Sequence, residues 1–208
     1  KGIAWVGNHK KGIIAYNIDD PSKPYAISSL ELPKDARVWR ITITGHYLIT
    51  SSTNQGMNII DILDPKNPQL LSSLPLPGPT NQVVVKDNFA IIAAGKFGLH
   101  IVNIEDKRNP RILSSLPLEE YIFTVCTKGN LAFLSGGPNN TGITYCIDLS
   151  DPENPHVIKK ILHPASKVWD SLIVQNTLYC GTSSGLTKVN LDNLEQKPER
   201  LTEDIKIS

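Results

Sequence analysis

The sequence predicts an all-β fold: a β-propeller of four-stranded antiparallel blades, built from about five repeat units. Two observations carry this expectation. First, a segment of the form Gly-x-x-Ile-x-Asx-Ile at Gly56 and Gly98 recurs in looser copies that start at Gly12, Gly142 and Gly185. Their spacings are 44, 42, 44 and 43 residues, and a β unit repeating every 40 to 50 residues points to propeller blades. Second, no segment carries a sustained 3.6-residue apolar period, so almost no helix is expected.

Each unit resolves into four strand-like runs. In the second unit these are Val38 to Ile43, Tyr47 to Ser51, Met57 to Leu63 and Gln69 to Leu76. β-branched residues bounded by Gly, Pro, Asn and Asp are the signature of strands joined by tight turns. The turns fall at Gly45-His46, Asp87-Asn88, Gly129-Asn130 and Gln175-Asn176. The third run is apolar at consecutive positions, as in Ile59-Ile60 and Ile101-Val102. A strand with one wet face would alternate, so burial on both faces is expected. The fourth run follows a proline in every copy: Pro24, Pro68, Pro110, Pro155 and Pro198. Proline cannot donate to a ladder, which suits the start of an outer edge strand.

Gly56-Met57-Asn58-Ile59-Ile60-Asp61-Ile62, Gly98-Leu99-His100-Ile101-Val102-Asn103-Ile104 and the Asp-Pro-x-x-Pro stretches at Pro21 to Pro24, Pro65 to Pro68 and Pro152 to Pro155 resemble the LVIVD repeat, while Lys107 to Pro110 lacks the first proline. The resemblance runs over nearly the whole chain. It implies β-propeller architecture, often in secreted or surface-exposed bacterial proteins, and no common enzymatic activity. The last copy departs most, with Leu194 in place of the first proline and Pro198 one residue late.

The chain reads as a single domain over residues 1–208, with units at roughly 1–33, 34–77, 78–119, 120–164 and 165–208. It opens in mid-unit: Lys1-Gly2 aligns with the turn Asp87-Asn88, so the first blade lacks its own inner run. Ile205 to Ser208 could supply that run and close the ring. Pro198 to Ile205 is then too short to supply the fifth blade's outer strand as well. Either the fifth blade has three strands, or the chain is an arc of a larger propeller.

Composition narrows the function classes. The chain is 40% apolar, with 21 basic and 20 acidic residues and a net charge of +1. That lacks the basic excess of a nucleic-acid binder, and no apolar run approaches a membrane span. Cys126, Cys146 and Cys180 form no Cys-x-x-Cys pair and read as small buried hydrophobes. No nucleophile elbow, phosphate loop or dinucleotide fingerprint occurs. Neither catalytic residues, a cofactor nor a metal site is expected. The most regular polar feature is an Asx pair: Asn17/Asp20, Asp61/Asp64, Asn103/Asp106, Asp148/Asp151 and Asn190/Asn193. Three of the five first positions are amides, so capping of the turns explains the pairs better than Ca²⁺.

Function is sought in what differs between copies. Loops after the second and fourth runs are expected on one face, around a channel mouth. The candidate binding residues there are Arg37, Trp39, Arg40, Asn54, Lys96, Phe97, Tyr121, Lys167, Trp169 and Asp170. Trp39 and Trp169 stand eight residues before Tyr47 and Thr177, with Phe123 at the same register. Aromatics beside cations are enriched at binding hot spots. The expectation is a non-catalytic module binding a protein or other macromolecule. The alternative is an enzyme or a small-ligand or carbohydrate-binding propeller, with Glu119, Glu120, Asp170 and His163 as acid–base groups.

Overall fold

A computed structural model of the chain describes residues 2–8, 12–33, 37–52, 56–164 and 167–201. Among them there is no helix, and all nineteen strands run up and down in sequence order within five sheets. The first sheet has three strands: β1 (Ile3–Asn8), β2 (Gly12–Asn17) and β3 (Tyr25–Leu30). The second comprises β4 (Val38–Thr44), β5 (Tyr47–Ser52), β6 (Gly56–Asp61) and β7 (Gln69–Leu74). The third comprises β8 (Gln82–Lys86), β9 (Phe89–Ala93), β10 (Leu99–Asn103) and β11 (Arg111–Leu116). The fourth comprises β12 (Ile122–Lys128), β13 (Leu131–Gly136), β14 (Gly142–Asp148) and β15 (His156–His163). The fifth comprises β16 (Val168–Val174), β17 (Thr177–Thr182), β18 (Gly185–Asn190) and β19 (Glu199–Arg200).

Among the described residues the first sheet has no fourth strand. The fifth sheet corrects the three-strand alternative, because two residues after Pro198 suffice to form β19. The segment Ile205 to Ser208, expected to complete the first sheet, lies outside the described residues.

One backbone bond recurs in every unit and fixes the repeat. Ile18, Ile62, Ile104, Leu149 and Leu191 each donate an N–H to the turn carbonyl of Gly2, His46, Asn88, Asn130 and Asn176, at 2.7 to 2.9 Å. The Asx pairs then cap the following loop. Asp61 Oδ1 accepts from Leu63 N and Asp64 Oδ1 from Lys66 N, and the same i+2 bond forms at all ten positions. These side chains serve turns, as expected of Asx residues.

By compactness the chain divides into one unit of residues 1–92 and 102–112 and another of residues 93–101 and 113–208. In the first, Ile59 packs with Ile49, Met57, Val83 and Val102, while its neighbour Ile60 packs with Ile13, Leu48 and Ile62. Consecutive residues of β6 thus enter two different cores. This is why the third run is apolar without alternation. In the second unit Phe133, Cys146, Val168, Leu178, Cys180 and Val189 share a core. The Cys146 and Cys180 thiols are buried, and burial raises them to about 11 and about 12. The two-sided burial covers every residue but the last in β6, β10 and β14, and is weaker in β2 and β18.

Three outer strands are also stapled to the loop of the following repeat. Ser28 Oγ donates to Pro65 O at 2.6 Å, Ser72 Oγ to Lys107 O at 2.7 Å and Ser114 Oγ to Pro152 O at 2.6 Å. The fourth copy has Lys159 at this place, and it pairs instead with Glu195 at 2.6 Å. There the loop is the altered Leu194 to Pro198 stretch, and a cleft of about 440 Å³ lies between it and β15.

Candidate functional site

The aromatic residues singled out by register owe their display to backbone irregularity. In β12 and β13, Ile122 pairs with Gly136 and Thr124 with Ser135, so Phe123 is an extra residue. In β16 and β17, Val168 pairs with Thr182 and Asp170 with Gly181, which leaves Trp169 extra. In β4 and β5, Val38 pairs with Ser52 and Arg40 with Ser51, which leaves Trp39 extra. A β-bulge of this kind re-aims a side chain. The residue before each bulge is buried: Val38 is 3% exposed, Ile122 0% and Val168 0%. The bulged aromatic points the other way, with Trp39 57% and Trp169 49% exposed and Phe123 half-buried. The core thus anchors the strand one residue before the ring that it displays.

Within the second unit these rings form a continuous strip. The Tyr121 and Phe123 centroids are 4.6 Å apart, and those of Phe123 and Trp169 are 4.9 Å apart. Both pairs are tilted, within the range favoured by aromatic quadrupoles. Lys167 Nζ stands 4.7 Å from the Trp169 centroid and 5.1 Å from that of Phe123. Trp169 Nε1 donates to Ser183 Oγ at 2.8 Å, which fixes the indole. Ser183 N in turn donates to Lys167 O at 3.2 Å.

The turn carrying Lys96 and Phe97 adjoins the strip through the backbone. Ile122 N donates to Gly95 O at 3.1 Å, so Gly95 bridges to the residue after Tyr121. Lys96 Nζ lies 5.5 Å from the Phe97 centroid. Tyr121 rides on Gly136, where a Cβ would meet Tyr121 O at 2.0 Å. Loops after second runs and loops after fourth runs therefore do meet in this unit.

The remaining candidates divide by position. In the first unit Arg37 and Trp39 are exposed and Arg40 is half-buried, its N–H bonded to Ser51 Oγ at 3.1 Å. Asn54 lies outside the described residues. In the second, Asp170 is exposed, and its Oδ1 accepts from Ser171 N at 2.9 Å and Thr124 Oγ1 at 3.2 Å.

The acid–base set of the alternative reading is not assembled. His163 is 3% exposed and bonded to Thr144 Oγ1 at 2.8 Å through Nε2 and to Thr187 Oγ1 at 2.9 Å through Nδ1. Burial lowers its pKa to about 4. This corrects the expectation of a titrating group at a loop mouth: His163 is a core residue in a hydroxyl chain with Ser135 and Thr144. Glu119 and Glu120 share Lys160, at 2.8 and 3.1 Å. Burial works to raise Glu120, but the Tyr145 hydroxyl and the Lys160 ammonium hold it below its usual range. In return, burial and Glu120 push Tyr145 up to about 12. This Tyr145–Glu120–Lys160 cluster was not anticipated. Its only sequence signal is the pair Glu119-Glu120 preceding an inner strand.

Comparisons with known proteins address the fold. No curated protein sequence matches the chain. The computationally designed Ika8 protein superposes with a TM-score of 0.69 at 17% identity, covering 91% of this chain and 55% of that one. Chaetomium thermophilum Sqt1, solved bound to the N-terminus of the ribosomal protein L10, gives 0.67 at 15%, covering 88% and 54%. A chain of the Mitotic Checkpoint Complex gives 0.69 at 12%, covering 92% and 58%. The chain thus spans a little over half the length of each of these propeller-like structures. The LVIVD repeat matches residues 36–74 and 77–116, the second and third units of the sequence reading. Those two segments are thus LVIVD repeats, and the LVIVD family is a β-propeller repeat.

Proposed function

We propose that the chain is a non-catalytic interaction module that binds a protein or other macromolecule through its loop face. In this reading the five sheets are blades of a propeller, closed or an arc of a larger ring. The observation that carries it is the strip Tyr121–Phe123–Trp169, with Tyr121 and Trp169 exposed and Phe123 half-buried beside the fully buried Ile122 and Val168. Rigid aromatic surface costs little entropy to order on binding, and loops on a buried scaffold are where recognition concentrates. Lys96, Phe97, Lys167 and Asp170 stand beside the strip, and Arg37, Trp39, Arg40 and Asn54 are the separate candidates of the first unit. Support by analogy comes from the Sqt1 structure, whose chain holds the N-terminus of another protein.

The test is to pan a random displayed peptide library on the chain and measure the selected sequences on Trp169→Ser and Tyr121→Ser variants. Binding at least tenfold weaker in each variant is the expected result. Selected peptides that bind both variants as tightly as the parent would overturn the proposal.

A further inference from the structure

Four of the described lysines have an acidic partner, while Lys107 and Lys128 donate to the carbonyl oxygens of Ile104 and Gln175. Lys86 pairs with Asp87 at 2.7 Å, Lys159 with Glu195 at 2.6 Å, Lys160 with Glu119 at 2.8 Å and Lys188 with Glu199 at 2.9 Å. Lys96 and Lys167 differ. Each stands over aromatic rings, and neither has a carboxylate partner among the described residues. An ammonium has three N–H donors, and a ring face satisfies it only in part. Two cations beside aromatic rings, with no carboxylate partner among the described residues, leave donors for a ligand.

From this we infer that the strip recognises an extended acidic peptide segment. Its carboxylates meet Lys96 and Lys167, and its bulky apolar side chains lie against Phe97, Tyr121 and Trp169. The inference rests on the interaction reading above and gives that reading a ligand chemistry. A phosphodiester chain fits less well. It carries a charge at every nucleotide, and the carboxylates of Asp170 and Glu119 lie on residues adjoining the strip's own Trp169 and on the loop leading to Tyr121. The net charge of +1 supplies no wider attraction. A neutral sugar also fits less well, because the Lys167 ammonium already covers a face of Phe123 and of Trp169.

The test uses the full chain and three synthetic probes: a blocked hexapeptide alternating Asp with Leu and Phe, its twin with Asn for Asp, and oligothymidylate. The readout is the Trp169 indole N–H resonance, identified by its loss in Trp169→Phe. The acidic peptide should bind roughly fivefold more tightly than its amide twin, as expected for two partly screened charge pairs. That preference should fade in 0.5 M salt and vanish in the double variant Lys96→Gln/Lys167→Gln, with the twin's affinity unchanged. The peptide and salt comparisons use the unaltered chain, so they stand even if the double variant folds poorly. Equal affinity for both peptides overturns the acidic specificity and leaves the interaction reading intact. Tighter binding of oligothymidylate assigns the strip to single-stranded nucleic acid and overturns the inference. No shift with any probe also overturns it, whereas the interaction reading itself falls only on the library experiment.

Discussion

Ser114 Oγ donates to the carbonyl oxygen of Pro152, 2.6 Å away and 38 residues further along the chain. The bond joins an outer strand to the proline loop of the following repeat, and Ser72 and Ser28 make the same bond one and two repeats earlier. A carbonyl in such a loop has no ladder partner, so the serine satisfies it. Ser114→Ala should lower stability by about 1 kcal/mol, the usual net worth of one hydrogen bond. In a chain of this length that is about 2–4 °C in Tm by calorimetry. An unchanged Tm would show that water replaces the hydroxyl without loss.

The bulges separate packing from display, and stability should follow that division. Val168 is fully buried, so Val168→Ala removes two methyl groups from the core and should cost about 2 kcal/mol. Trp169→Ala next to it removes a far larger side chain that is 49% exposed, and should cost about 1 kcal/mol or less. Urea denaturation of both variants checks the order. The reverse ranking would mean that Trp169 is a structural residue and not a displayed one.

Much of this architecture is legible in the sequence, for identifiable reasons. Prolines before the outer strands and Asx residues before the loops act locally, so their effects can be read without knowing the fold. The consecutive apolar residues of the third run announced burial on both faces, and Ile59 and Ile60 do enter separate cores. The bulges were harder to read. Val38-Trp39, Ile122-Phe123 and Val168-Trp169 are adjacent apolar pairs that break alternation, but a one-residue register shift shows only against the partner strand. His163 misled for a related reason. Its hydroxyl partners Thr144 and Thr187 lie 19 and 24 residues away, on other strands, so its burial had no local signal.

Two glycine positions should respond oppositely to substitution. Gly98 has φ +77, and a Cβ there would meet Leu116 O at 2.3 Å and Leu118 N at 2.7 Å. Backbone atoms cannot swing aside, so Gly98→Ala should cost more than about 2 kcal/mol. Gly45 has φ +57 with nothing within 4 Å of a Cβ. Asp87 and Gln175 occupy the same turn position in other units with φ 53. Gly45→Asn should therefore cost under about 1 kcal/mol, because asparagine tolerates this conformation. Thermal unfolding of the two variants decides the point, and a Gly98→Ala protein as stable as the parent would refute the close approach.

Buried His163 should make stability depend on pH between about 6.5 and 4. Its folded pKa is lowered to about 4 by burial, below the ordinary value of 6.5. As pH falls through 6.5 the unfolded chain takes up a proton that the folded chain refuses. Stability is therefore full above 6.5, declines from there to about 4, and levels off once the folded state is protonated too. The total is on the order of 3 kcal/mol. The loop carboxylates titrate lower. Asp20, Asp64, Asp106, Asp148 and Asp151 are held below their usual range by side-chain and then backbone hydrogen bonds. What they contribute is present above the ordinary carboxylate range and is lost only at more acid pH. Denaturation of the parent and of His163→Gln across pH 4 to 7.5 separates the two effects. The variant should lose the slope between 6.5 and 4 whatever its absolute stability, because glutamine keeps a polar group between Thr144 and Thr187 but cannot titrate. An equal slope in both proteins would place the titrating group elsewhere.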